Sequence, residues 1–121
     1  MKWIQRGIIL LAVGGFAAAV FTVFCDVLFR CGCQGFWAAG STYCNVHTPG
    51  VAHCPFCSTG QWGAVLPKAL IWTVQAAVVL VPSRLSAVSR ILLGILAFVA
   101  VGAVVGFFFR WWTGYPAFLG I

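Results

Sequence analysis

The sequence predicts an all-α membrane protein with three transmembrane helices and an irregular Cys/His-rich loop between the first and the second. Three observations carry that prediction. Of 121 residues, 63% are hydrophobic and only 7% are charged, against about 25% charged in a soluble domain. Three apolar runs each approach the roughly 20 helical residues that cross a hydrocarbon core of about 30 Å. Between the first two runs, "CGCQGFWAAGSTYCNVHTPGVAHCPFC" collects five of the six cysteines and both histidines. The chain reads as a single polytopic membrane domain with no soluble domain, repeat or low-complexity tract.

The first span is predicted over residues 7–29. Met1, Lys2 and Arg6 give it the basic start of a signal peptide. Its apolar run nevertheless exceeds the roughly 7–15 residues of a signal core, and no small-residue cleavage site follows, so a permanent helix is expected. Asp26, the only acidic residue, stands near its end with Arg30 four positions on. That order and spacing predict an ion pair on one helix face.

The second span, over residues 63–81, carries Pro67, Lys68 and Gln75. Proline is tolerated in the first turns of a helix, and the Lys68 amine can snorkel to the interface. The third span covers residues 91–109. The short connection "PSRLSAVSR" makes the second and third spans antiparallel neighbours, and Ser83 after Pro82 is expected to cap the third helix. Gly102 and Gly106 form a G-x-x-x-G stripe, and Gly15 with Ala19 forms a second small-residue stripe. Both suit close helix–helix approach, for Gly102 and Gly106 with the first span or with another subunit. The tail "WWTGYPAFLGI" has the aromatic character of a membrane interface.

The formal charge of +6 comes from seven scattered Lys and Arg residues. No run of them reads as a nucleic-acid patch, so the expected partners are the lipid bilayer and other membrane protein subunits. With the N-terminus cytoplasmic, Lys2, Arg6, Arg84 and Arg90 share its side, and Arg30, Lys68 and Arg110 lie opposite. The distribution of positive charge therefore places the Cys/His loop, residues 30–62, outside the cytoplasm. The expected location is a bacterial inner membrane.

The loop holds three ligand-like clusters: Cys31 and Cys33 as C-x-C, Cys44 and His47 as C-x2-H, and Cys54 and Cys57 as C-P-x-C preceded by His53. A C-P-x-C turn points two thiolates to one side, as zinc knuckles do, and a second such turn completes a tetrahedral shell. The expected metal ligands are Cys54 and Cys57, completed from Cys31, Cys33, Cys44 and His47. His53 falls in an outer shell or a second site. With Cys25 added, eight side chains would suffice for two tetrahedral ions. Zinc is the expected ion, and an iron–sulfur cluster would accept four of the same thiolates. Disulfides are the alternative outside the cytoplasm, but they give the two histidines no role. Covalent haem attachment needs C-x-x-C-H, and here the histidine precedes the motif.

No acid–base constellation is present, so no enzymatic role is expected unless Cys54 and Cys57 act as a redox dithiol. The composition fits a small accessory or structural subunit of a larger membrane complex, its loop folded around metal and docked on partners. A metal-ion carrier or thiol–disulfide redox protein is the alternative.

Overall fold

The computed structural model describes every residue except 1, 36, 41, 82, 83, 117, 120 and 121. The described residues form four α-helices: α1 (Trp3–Phe29), α2 (Pro55–Ser58), α3 (Gln61–Leu80) and α4 (Ala87–Thr113), with a 3-10 turn at Asn45–His47. No strand occurs among the described residues. The three long helices are each long and apolar enough to cross a membrane. Most of their apolar surface faces outward: Leu11 is 77% exposed and Val104 70%. In water that exposure would be costly; against lipid it is the solvated face.

Each long helix packs on the other two. The chain runs along α1, back along α3 and forward again along α4. The Cys/His loop, the start of α3 and the end of α4 therefore meet at the end of the bundle away from the N-terminus. The helices begin earlier than the apolar runs alone indicate, because polar residues complete their first turns. Ser86 caps α4 by accepting from the Ser89 backbone N–H at 3.2 Å; the expected cap Ser83 and its neighbour Pro82 lie outside the described residues.

Small residues of α4 set its distance from α1. A Cβ at Gly94 would stand 3.0 Å from Val13, one at Gly102 2.4 Å from Phe24, and one at Gly106 2.8 Å from Leu28. The G-x-x-x-G stripe thus packs on the first span, within the chain. Gly15 faces outward with nothing within 4 Å of its Cβ position.

Two polar side chains fasten the helices where their apolar faces meet. Gln75, fully buried on α3, donates from Nε2 to the Gly94 carbonyl of α4 at 3.0 Å and to the Val13 carbonyl of α1 at 3.3 Å. The polar residue inside the second span is thus a clamp on all three helices. Arg90, also fully buried, donates from Nη1 to the Val79 carbonyl and, at 2.9 Å, to the Val81 carbonyl. A cation there meets carbonyls that the end of α3 leaves unpaired.

Asp26 and Arg30 form no ion pair among the described residues. Arg30 has left the helix: it is the C-cap of α1 in the left-handed region, φ 51°, and its N–H donates to the Asp26 carbonyl. The Asp26 carboxylate instead accepts from the Gly32 N–H at 2.8 Å, which turns the chain back over the end of α1.

Candidate metal centre

That reversal is the first step in assembling the site. Cys25 lies on the last turns of α1, and the left-handed Arg30 with the Asp26–Gly32 bond folds Cys31 back over it, Sγ to Sγ 3.6 Å. Gly32 adopts φ +90°, and a Cβ there would stand 2.4 Å from the Tyr43 carbonyl oxygen. Only glycine fits both the dihedral and the space, so C-G-C is a conformational requirement as much as a ligand motif. The strand of loop carrying Cys44 is held alongside by the Asn45 N–H, which donates to the Cys31 carbonyl at 2.7 Å.

The C-P-F-C turn enters from the other side. Cys54 is the N-cap of α2 with Pro55 in its first turn, and the N–H groups of Cys57 and Ser58 both donate to the Cys54 carbonyl. Phe56, between the two thiols, is buried. Its ring stacks on Phe21 of α1 at 5.5 Å and meets Phe29 and Phe109 edge-on at 5.1 and 5.2 Å. The loop's anchor is therefore an aromatic plug in the helical bundle. Trp37, Tyr43 and Val51, apolar residues of the loop, are exposed, and Phe36 lies outside the described residues.

Asn45 ties these parts together. Its Oδ1 accepts from the Cys54 N–H at 2.7 Å, and its Nδ2 donates to the Tyr115 hydroxyl at 2.7 Å. Tyr115 in turn donates to the Phe29 carbonyl at 2.8 Å. One chain of hydrogen bonds thus joins the C-P-F-C turn, the tail after α4 and the end of α1.

All six cysteines are free thiols, and all six converge. Cys25 and Cys54 stand 3.1 Å apart and Cys44 and Cys57 3.4 Å. Four sulfur trios, each mutually within 4.8 Å, between them take in all six cysteines: Cys25, Cys31 and Cys54; Cys25, Cys33 and Cys57; Cys31, Cys33 and Cys44; Cys44, Cys54 and Cys57. Such a cluster could hold a metal ion. Five of the thiols are buried; Cys57 is half-buried. Beside it opens a cleft of about 360 Å³ whose lining includes Cys25, Cys33, Cys57, His47 and Lys68. The Lys68 ammonium lies 5.1 Å from the centre of the Phe21 ring.

Burial pushes the Cys44 thiol up to about 11. Ion-free, it is protonated at neutral pH, and a metal would have to displace that proton.

Cys31, Cys33, Cys44, Cys54 and Cys57, the loop cysteines singled out in the sequence, all lie in this cluster. Neither histidine belongs to any trio. His47 is exposed at the cleft, and His53 Nε2 lies 3.0 Å from the Thr48 carbonyl oxygen. Cys25 entered the sequence reading only as an eighth possible ligand, and it belongs to two trios. Asn45 and Tyr115 carried no chemical signature in the sequence. Comparison with protein-family models, curated proteins and solved structures finds no match, so the function is argued from this geometry.

Proposed function

We propose that the protein is a membrane-embedded metal-handling protein. It holds thiophilic ions in a six-thiol site at one end of a three-helix bundle and exchanges them with partner membrane proteins on that side, away from the N-terminus. The observation that carries this reading is the convergence of all six sulfurs beside a cleft that reaches Cys57. A structural zinc needs four ligands in a closed shell, whereas a carrier keeps an approachable position. Here the six sulfurs close up in overlapping threes rather than in one isolated shell of four, and Cys57 lines the opening. The exposed His47 imidazole lines the same cleft and offers an incoming ion a borderline ligand before the thiolates take it.

A second reading is the accessory subunit with a zinc-stapled docking loop. It is favoured by the burial of the other five thiols and by the hydrogen bonds that lock the loop to Phe29 and Tyr115. The two readings separate on exchange. The full chain, reduced in detergent micelles and loaded with zinc, is mixed with a chelator of comparable affinity. A metal-handling site gives up its ions and reloads with helicity and loop protection intact. Ions that leave only when the loop unfolds would overturn the proposal in favour of the structural subunit.

A further inference from the structure

The way the six sulfurs are shared defines the kind of metal centre they make. Each cysteine belongs to two of the four trios, and no two trios share more than one sulfur. Each sulfur therefore neighbours four others and stands apart from one: Cys25 from Cys44, Cys31 from Cys57, Cys33 from Cys54. That is the adjacency of an octahedron: the four trios are alternate triangular faces of it, and the same close pairs make the other four faces, Cys25, Cys31 and Cys33 among them, equally compact. Three-coordinate ions that share each thiolate between two of them occupy four alternate faces and leave the other four empty.

This adjacency separates the possible centres. A tetrahedral ion needs four mutually neighbouring sulfurs, and any four here include a pair that shares no trio. Two tetrahedral ions bridged by two thiolates would give the bridging sulfurs five neighbours and the terminal ones three, whereas here every sulfur has four. What fits is three-coordination. At a metal–sulfur bond of about 2.3 Å, a planar trigonal ion sets its sulfurs roughly 4.0 Å apart. The Cys25–Cys31, Cys44–Cys57 and Cys25–Cys54 separations of 3.6, 3.4 and 3.1 Å are shorter than that, so each trio opens slightly as it takes an ion, within the 4.8 Å that holds for every trio. Soft monovalent ions with filled d shells, copper(I) foremost, accept three thiolates in a plane.

We infer that the site is a tetranuclear copper(I)–thiolate centre, one ion on each of the four trios and every cysteine bridging two ions. This rests on the metal-handling reading above and names its cargo. The balance is simple: four copper(I) ions displace six thiol protons, with no change of oxidation state. Four positive charges against six thiolates leave the cluster doubly negative. Lys68, on the cleft that reaches Cys25, Cys33 and Cys57, supplies positive charge beside it. Asp26, the only acidic side chain, is turned to the Gly32 N–H.

The test is an anaerobic titration of the full-length, reduced protein in detergent with copper(I) supplied as its acetonitrile complex. Proton release and thiol alkylation are measured in parallel. The expected result is saturation at four copper ions per chain, release of six protons and protection of all six cysteines, with three sulfurs per copper by X-ray absorption. Cys57 belongs to two trios, so C57S should halve the number of three-coordinate ions, from four to two. His47 belongs to none, so H47A should keep all four. Saturation at one or two ions, or two cysteines left open to alkylation, overturns the tetranuclear centre. If those ions still exchange with a chelator, the metal-handling reading stands without it. A chain that binds neither copper(I) nor zinc overturns both. Should C57S fail to fold, the wild-type stoichiometry still decides.

Discussion

Replacing Gly106 with leucine tests the link between helix packing and the thiol site. A Cβ at this position stands 2.8 Å from the Leu28 side chain, 3.4 Å from Phe118 and 3.5 Å from Phe29. Leu28 and Phe29 have no exposed surface, so neither has open space into which to retreat. The first methyl-sized addition already overlaps, and leucine adds three further carbons against the same wall. Overpacking of this kind costs about 1–3 kcal/mol, which is roughly a five- to hundredfold change in a folding equilibrium.

The damage should not stay at the crossing. Phe29 carries the carbonyl that Tyr115 donates to, the Leu28 carbonyl accepts from the Leu119 N–H at 2.7 Å, and Cys25 sits one turn away. Forcing α4 off α1 therefore loosens the thiol site as well as the helices. The assay is thermal unfolding in detergent together with the rate of cysteine alkylation in the ion-free protein. G106L should unfold at lower temperature and react faster at Cys25 and Cys54. G15L is the control: nothing lies within 4 Å of that Cβ position, so it should stay within about 0.5 kcal/mol of wild type. Equal stability and equal alkylation rates for G106L and G15L would refute the packing assignment.

Three further outcomes are expected. Q75A removes hydrogen bonds to two neighbouring helices and should cost about 0.6–2 kcal/mol, the range for side-chain bonds between membrane helices; unchanged thermal stability would show that the clamp contributes nothing. Y115F leaves Asn45 Nδ2 and the Phe29 carbonyl without their common partner, at a cost of about 1–3 kcal/mol. It should speed alkylation of Cys54, whose N–H is held by the same Asn45, and an unaltered rate would break that connection. Because burial raises the Cys44 thiol to about 11, loading expels a proton that is still bound at neutral pH. Apparent metal affinity should therefore climb from pH 6 to pH 8 in a chelator competition, and a pH-independent affinity would exclude coordination by thiolates.

The spans were legible because hydropathy is a local sum: twenty apolar residues announce themselves wherever they stand. The loop was legible as chemistry, since cysteines in close sequence pairs are visible as ligands. Their partners were not, because convergence is set by the backbone between the pairs. Arg30 is the clearest case. Its charge and its distance from Asp26 read as one more helical ion pair, yet it stands in the left-handed region, where a non-glycine residue gives no compositional warning. That single dihedral turns Cys31 back onto Cys25 and makes a helix residue part of the thiol site. The histidines stand outside the sulfur trios for the converse reason: nearness in sequence to Cys44 and Cys54 says nothing about which way a short turn presents the ring.

The loop's dependence on the bundle changes what metal has to do. Read alone, residues 30–62 have too few apolar side chains to order themselves, and a metal staple would have to supply most of the ordering free energy. In the fold, Cys25, Cys31, Cys33, Cys44 and Cys54 are part of one buried cluster with Phe21, Phe29, Phe56 and Phe109. The aromatic plug and the Asn45–Tyr115 network fix the backbone beside the thiols through contacts that involve no ion. A site organised by its scaffold can lose ions without collapsing, since ion release then costs the binding free energy alone and not the fold with it. The proposed exchange of cargo requires that condition, and the burial of Phe56 among α1 and α4 aromatics is the feature that supports it.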